Sequence, residues 1–361
     1  MDIKLFSLCN QDSPEAVNGK EQILGCVNDF FPSGVKFNDF TSQKRLLVAI
    51  SQSLLAADIV LVAVQSTMFN ATKRLLCSAL DIKTERNEEI ASALSAKMKT
   101  RKLKPNFFEA SVTFPQNAVV MPTSDYLNCG FALTSGGQHI IYIPVEDNKA
   151  QQIILGSLYD YFAEISEALV ASQALKHRHR LLIANAVKKL GSDSIRVSVA
   201  GNDASDYLVS FLKKSDSSAF TVDMDYDSPE DETDEKTISI HIARNVRDRN
   251  HTDLGVYISN PFLSEEDGNA LCSYVAIANE EGTKTYKIIS DADEGAKELL
   301  RVCVDKLLLV LCDYESIECS VEESEENKAA DKKLRDMIGI AASAAVLAAS
   351  VAGFILALVL R

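Results

Sequence analysis

The run DIVLVAV at 58–64 constrains this chain more than any other feature. Every residue after the aspartate is apolar, so as a strand it reads as buried on both faces. Such a strand needs helices above and below it. KRLLVAISQSLLAA at 44–57 has helical periodicity, and residues 72–80 have it again. IKLFSLCN near the start is a further apolar strand. Strand, helix, strand and helix therefore alternate, which argues a parallel sheet with helices on its faces. Short strands follow at 118–121 and 139–143. The tract between them, PTSDYLNCGFALTSGGQ, is a turn-rich loop or hairpin, and Gly136-Gly137 suits a hairpin turn better than a phosphate cradle.

Residues 151–190 are nearly continuous in helical character, with Gly191 as a stop. A second alternation then starts. Strands are expected at 195–200, 220–224 and 253–259, and helices at 205–214 and 237–250. A strand pair at 273–278 and 285–289 and a closing helix at 293–313 complete it. The predicted fold class is α/β, with two three-layer α/β domains and mostly parallel sheets. The first spans 1–150 and the second 192–315, joined by a helical connector at 151–191.

The C-terminal end reads differently. Residues 337–360, MIGIAASAAVLAASVAGFILALVL, contain no charge. As a helix they extend about 36 Å, enough to cross a ~30 Å hydrocarbon core. Lys332, Lys333 and Arg335 precede the run and only Arg361 follows it, so the bulk of the chain is expected on the cytoplasmic side of a cell membrane, single-pass. Gly339 and Ser343 are four apart, as are Ala345, Ala349 and Gly353, a spacing that lets helices pack closely. The charged stretch 316–336 reads as a linker. The start, MDIKLFSLCNQDSPE, has no basic segment followed by a long apolar one, so no signal peptide is expected.

A net charge of −14 argues against nucleic acid as a partner. The eight cysteines form no CxxC pair and no zinc spacing, and they read as reduced, buried thiols. Asp223, Asp225, Asp227 and Asp234 mimic calcium-loop positions, but Ser228 stands where the loop needs glycine, so a solvated acidic loop is the better reading. His177 and His179, two apart in KHRHR, do not share a helix face, and the motif reads as an exposed basic patch. No metal and no cofactor is expected.

The layout over most of residues 1–315 resembles the competence/damage-inducible CinA family. Its first half is a molybdopterin-binding-type domain with a Gly-Gly-rich turn between strand and helix. Here DIVLVAV and ATKRLLCSALDI are the strand and helix, and the turn is Gln65-Ser66-Thr67-Met68-Phe69-Asn70, without glycine. The family's later Gly-Pro-Pro ending corresponds to Ile143-Pro144-Val145-Glu146. Its second half is a nicotinamide-nucleotide amidase-type domain whose nucleophile motif resembles A-E-S-C-T-G-G. Here the run is Ala200-Gly201-Asn202-Asp203-Ala204-Ser205-Asp206, so Asn202 holds the serine position. A later family loop corresponds to Ser259-Asn260-Pro261-Phe262. The family's small middle domain is replaced by the helical connector.

The resemblance therefore implies a degenerate body. Glycines let backbone N–H groups approach a phosphate closely, and Met68 and Phe69 add bulk instead. An asparagine is no nucleophile, and Ser205 is displaced in register. The expected function is a non-catalytic, membrane-tethered interaction or scaffold protein with an unidentified protein partner, self-associating as molybdopterin-type domains commonly do. One alternative is a nucleotide or molybdopterin-type ligand sensor using Ser66, Thr67 and Asn70 in the first domain and Asn202, Asp203, Ser259 and Asn260 in the second. Another is a weak nucleotide pyrophosphatase or nicotinamide-nucleotide amidase.

Overall fold

A computed structural model of the chain describes residues 1–10, 13–32, 34–98, 103–202, 204–206, 208–209, 220–226, 229, 234–290 and 295–312. The expected span at 337–360, the linker at 316–336 and most of the helix expected at 205–214 lie outside the described residues. Among the described residues no helix is long and apolar enough to cross a membrane. The chain divides into two compact units, formed mainly by Met1–Lys189 and by Leu190–Leu307.

The first unit runs β1 (Ile3–Leu8), α1 (Pro14–Phe30), β2 (Phe37–Phe40), α2 (Gln43–Ser53), β3 (Ile59–Val64), α3 (Ser66–Ala79) and β4 (Thr84–Arg86). It continues through α4 (Glu88–Lys97), α5 (Pro105–Val112), β5 (Thr113–Pro115), β6 (Val119–Met121), β7 (Gly130–Ser135), β8 (Gln138–Pro144), α6 (Asp147–Ile153), α7 (Tyr159–Ile165) and α8 (Ala168–Asp193). The sheet order is β2-β1-β3-β8-β7-β6, with parallel pairing among the first four strands and antiparallel pairing of β7 with both β8 and β6. All six residues of β3 are buried, so both faces of the sheet are covered. Val60, Val62 and Val64 share a cluster with Leu46 and Ile50 of α2 and with Phe69 and Leu76 of α3. The alternate positions face the other way. There the His139 Nδ1 of β8 lies 2.7 Å from the Tyr161 hydroxyl of α7. Gly136-Gly137, both at positive φ, close the two-residue turn between β7 and β8.

The alternation does not anticipate α1. It opens on Ser13-Pro14-Glu15, with proline in the first turn where its missing N–H costs nothing. Phe30 of α1 packs on Tyr159 and Phe162 of α7, and Asp29 binds the Tyr159 hydroxyl at 2.5 Å and His177 Nδ1 at 2.6 Å. The KHRHR motif is therefore only in part an exposed patch. Arg178 and His179 are buried, and Arg178 donates to the Leu155 carbonyl and to Asp160. Gly191 also proves not to be a stop, because α8 runs past it to Asp193 and Ser194 takes the left-handed conformation.

The second unit runs β9 (Val197–Ala200), β10 (Phe220–Asp223), α9 (Glu235–Asn250), β11 (Leu254–Ile258), β12 (Phe262–Ser264), β13 (Ala270–Ala278), β14 (Thr283–Ser290) and α10 (Gly295–Leu311). Its sheet is more mixed than expected. β10, β9 and β11 are parallel, but β13 is antiparallel to β11, β12 and β14. Asp223 and Asp234 of the acidic run have structural work: Asp223 accepts from Asn250, and Asp234 caps α9 through the Thr237 N–H. Asp227 and Ser228 lie outside the described residues. Seven of the eight cysteines are described, all buried thiols without a disulfide, and Cys319 lies outside.

α9 lies against β11 at Gly255. A Cβ there would fall 2.0 Å from the Ala243 carbonyl oxygen and 2.6 Å from the Arg247 Cβ. Backbone cannot yield as a side-chain tip can, so Gly255→Val is expected to destabilise the second unit by about 3 kcal/mol or more. Thermal unfolding with hydrogen exchange in β9, β11 and α9 checks this; native protection in that variant would show that the contact is soft.

Candidate functional site

In each unit the parallel strands create one crevice. The chain leaves β1 for β2 on one side and later returns to place β3 on the other. In open α/β sheets ligands bind at such a switch point, outside the carboxyl ends of the strands. The residues at the first crevice are Asn10, Gln65, Ser66 and Glu146, following β1, β3 and β8. The second unit repeats the arrangement. β9 is flanked by β10 and β11, and the crevice lies between Ala200-Gly201-Asn202 and Ile258-Ser259-Asn260.

The first crevice is laced by its own side chains. The Asn10 N–H donates to Gln65 Oε1 at 3.1 Å, and the Gln65 N–H to the Leu8 carbonyl at 2.9 Å. α3 begins at Ser66, six residues earlier than its periodicity suggests, so 66–70 are its first turns rather than a loop. Its N-cap residue, Gln65, makes no side-chain cap. The cap comes instead from Glu146, whose Oε1 accepts the Ser66 N–H at 2.5 Å across 80 residues of sequence. A carboxylate is therefore seated at the positive end of the helix dipole, where a phosphate would otherwise bind.

The sequence-predicted residues of this unit separate. Ser66 is half-buried, with its Oγ shut off from solvent and unpartnered, and Thr67 is exposed. Asn70 turns away from the crevice into the interior, donating to Ser111 Oγ at 3.2 Å. Below it on α3, Lys73 is also buried, and burial pulls its amine down to about 8.

The second crevice is closed in another way. Asn202 Nδ2 donates across it to the Ile258 carbonyl at 2.7 Å. Asn202 Oδ1 accepts the Ser205 N–H at 2.9 Å, and Ser205 Oγ accepts the Asn202 N–H at 2.9 Å, a reciprocal capping box. The Ser205 hydroxyl proton goes to the Asn202 carbonyl, so this fully buried serine is bonded to an amide oxygen and not to a base that could activate it. Tyr257, pushed up to about 12 chiefly by burial, stays a neutral phenol beside Asn202. Ser259, at the edge of the crevice, is spent on the sheet: it continues the β11 ladder, exchanging hydrogen bonds with Tyr274, and is fully buried. Asn260 is exposed, and Asp203 lies outside the described residues. Among the described residues no group of acidic, histidine or cysteine side chains has metal-binding geometry.

Glu146, Gln65 and Ser205 carry the behaviour of these crevices; the sequence places them in the corresponding family loops but marks none of them as a ligand-binding residue. The signal for Glu146 was its place just after a buried strand and before a helix; its partner, 80 residues away, had no local sign. Glu146→Gln keeps the side-chain size but removes the charge. The variant is expected to gain a phosphate-dependent rise in melting temperature that the parent lacks, by a few degrees. Equal responses in both would show that the carboxylate does not block anions.

The chain matches no established family pattern and no curated protein. Among solved structures, CinA of Thermoplasma acidophilum is similar at 13% identity and a TM-score of 0.35, over 44% of this chain and 96% of that one. A competence or damage-inducible protein from Enterobacter asburiae is similar at 18% identity and a TM-score of 0.30, over 36% of this chain and 96% of that one. A CinA superfamily protein from Escherichia coli is similar at 16% identity and a TM-score of 0.31, over 37% and 87%.

Proposed function

We propose that this chain is a non-catalytic interaction or scaffold protein, tethered to a membrane through 337–360 with its α/β body on the cytoplasmic side. One observation carries the non-catalytic part. At both switch-point crevices the leading backbone donors are engaged by the chain itself, the Ser66 N–H by Glu146 in the first unit and the Asn202 and Ser205 N–H groups by each other's side chains in the second. A free anion has to displace an intramolecular cap, which acts at high effective concentration. The tether rests on the uncharged run and its flanking Lys332, Lys333 and Arg335.

A second reading, a nucleotide or molybdopterin-type ligand sensor, is favoured by the unpartnered Ser66 Oγ at the first crevice. Loss of ligand-induced stabilisation in Ser66→Ala would support it, and a ligand indifferent to that change would remove the site.

The full-length chain is expected to turn over neither ADP-ribose nor nicotinamide mononucleotide above the rate in buffer alone. Robust hydrolysis or deamidation by the parent, abolished by Asn202→Ala or Ser66→Ala, would overturn the scaffold reading. In cell fractions the chain is expected to stay with membranes through alkaline carbonate, and in detergent to have the mass of an oligomer by light scattering. Release by carbonate removes the tether, and a monomeric mass removes self-association.

A further inference from the structure

α2 and α3 leave between them a groove of about 550 Å³ that is lined by none of the crevice residues. Leu47 and Val48 of α2 and Leu75 and Ala79 of α3 form its apolar part, with Lys44 and Gln52 beside them. Val48 is 51% exposed and Leu75 44%, and Leu55, just past the end of α2, is 87% exposed. Large apolar side chains scattered singly over a surface mean little, but two that line one concavity mark a place where another molecule packs. A helix rises about 1.5 Å per residue, so the α2 side of the groove, from Gln43 to Gln52, is about 14 Å long.

The charges on the two helices are all of one sign. The chain carries 51 acidic residues, yet none lies in 41–57 or 59–80, the stretches that hold α2 and α3. Lys44 lines the groove itself. By helical spacing Arg45 stands beyond Val48 on the outer side of α2, and Arg74 beyond Leu75 on the outer side of α3. All three cations are exposed, and none is in an ion pair among the described residues. In a chain of net charge −14, a cationic face left unneutralised attracts an acidic partner.

We infer that the α2–α3 groove receives an amphipathic helix of a partner protein, with apolar side chains at i, i+4 and i+7 and carboxylates on either side of them. Anchors so spaced span about 10 Å, within the length of the groove. Leu47, Val48, Leu75 and Ala79 take the anchors, while Lys44, Arg45 and Arg74 meet the carboxylates. A second copy of this chain is the wrong occupant, because a twofold contact sets the face against itself and brings cation to cation. A bilayer is flat, whereas this apolar surface is concave. The assignment names a partner class for the interaction reading proposed above. It shares no residue with the crevices, so turnover assays and the binding assay below fail independently.

The test holds the full-length chain in nanodiscs of phosphatidylcholine. Fluorescence anisotropy follows a synthetic helical peptide with leucines at i, i+4 and i+7 flanked by glutamates, against a second peptide with lysines in place of the glutamates. The glutamate peptide is expected to bind about tenfold more tightly than the lysine one and to slow hydrogen exchange of the α2 and α3 amides. Leu75→Glu, at an exposed position, is expected to keep the melting temperature of the parent and lose the binding. Lys44→Glu with Arg45→Glu is expected to weaken the glutamate peptide by about tenfold and to admit the lysine peptide, and salt is expected to weaken binding to the parent. Equal binding of both peptides, binding of neither, or binding unchanged in Leu75→Glu would overturn the assignment. So would slowed exchange of the same amides on adding phosphatidylserine to the discs without peptide, which gives the face to lipid. A molecular mass that halves in Leu75→Glu would overturn it in favour of a second copy.

Discussion

β3 is the constraint on which the rest of the first unit depends. Its six residues, IVLVAV, have no polar side chain and no exposed face. A strand of that kind cannot sit at an edge or face water, so β1 and β8 flank it and helices cover both sides. Parallel neighbours also end at the same edge. That is why Asn10, Gln65 and Glu146, far apart in sequence, meet at one crevice. The second unit obeys the same rule through β9, whose four residues are all buried.

What occupies that edge separates this chain from a phosphate binder. A helix N-terminus is attractive to any anion, and a carboxylate placed there contributes about 0.3–1 kcal/mol. Glu146 holds the position at α3 without losing translational freedom. In the second unit, Asn202 and Ser205 satisfy each other's backbone groups and tie β9 to β11. Both solutions stabilise the edge and remove its donors from use.

Sequence periodicity located most strands and helices to within a few residues. The failures have physical causes. The first turns of α3 hold Ser66, Thr67 and Asn70, polar residues that favour turns in isolation, and the helix exists there because Glu146 caps it from outside. α1 buries Ala16, Gly19, Ile23, Cys26, Val27 and Phe30 at helical spacing, but the small Ala16 and Gly19 blur the start of that face, and its start signal was a proline and an acid. Gly191 sits in α8 without ending it, because a glycine also tolerates helical backbone. The candidate site was half legible. Residues 65–70 and 200–202 do flank the crevices, but the bonds that close them span 80 and 56 residues. Lys73 carries no sequence sign of burial, and only its packing against Phe114 reveals it as interior.

The helices α6 and α7 are joined by a five-residue π-helical turn at Ile154–Leu158. In an unbroken α-helix, residues eight apart are rotated by about 80°. The wide turn takes up that excess. It lets Ile153, which meets the space above Gly130, and Tyr161, which meets His139, both address the sheet. Such a turn holds one residue more than a regular one, and the Arg178 guanidinium satisfies the Leu155 carbonyl within it. The stretch therefore lodges one residue beyond a regular helix without disturbing either flank. Removing one residue between 154 and 158 would turn it into regular α-helix and still leave Ile153 and the tyrosine, then seven apart, within about 20° of one face.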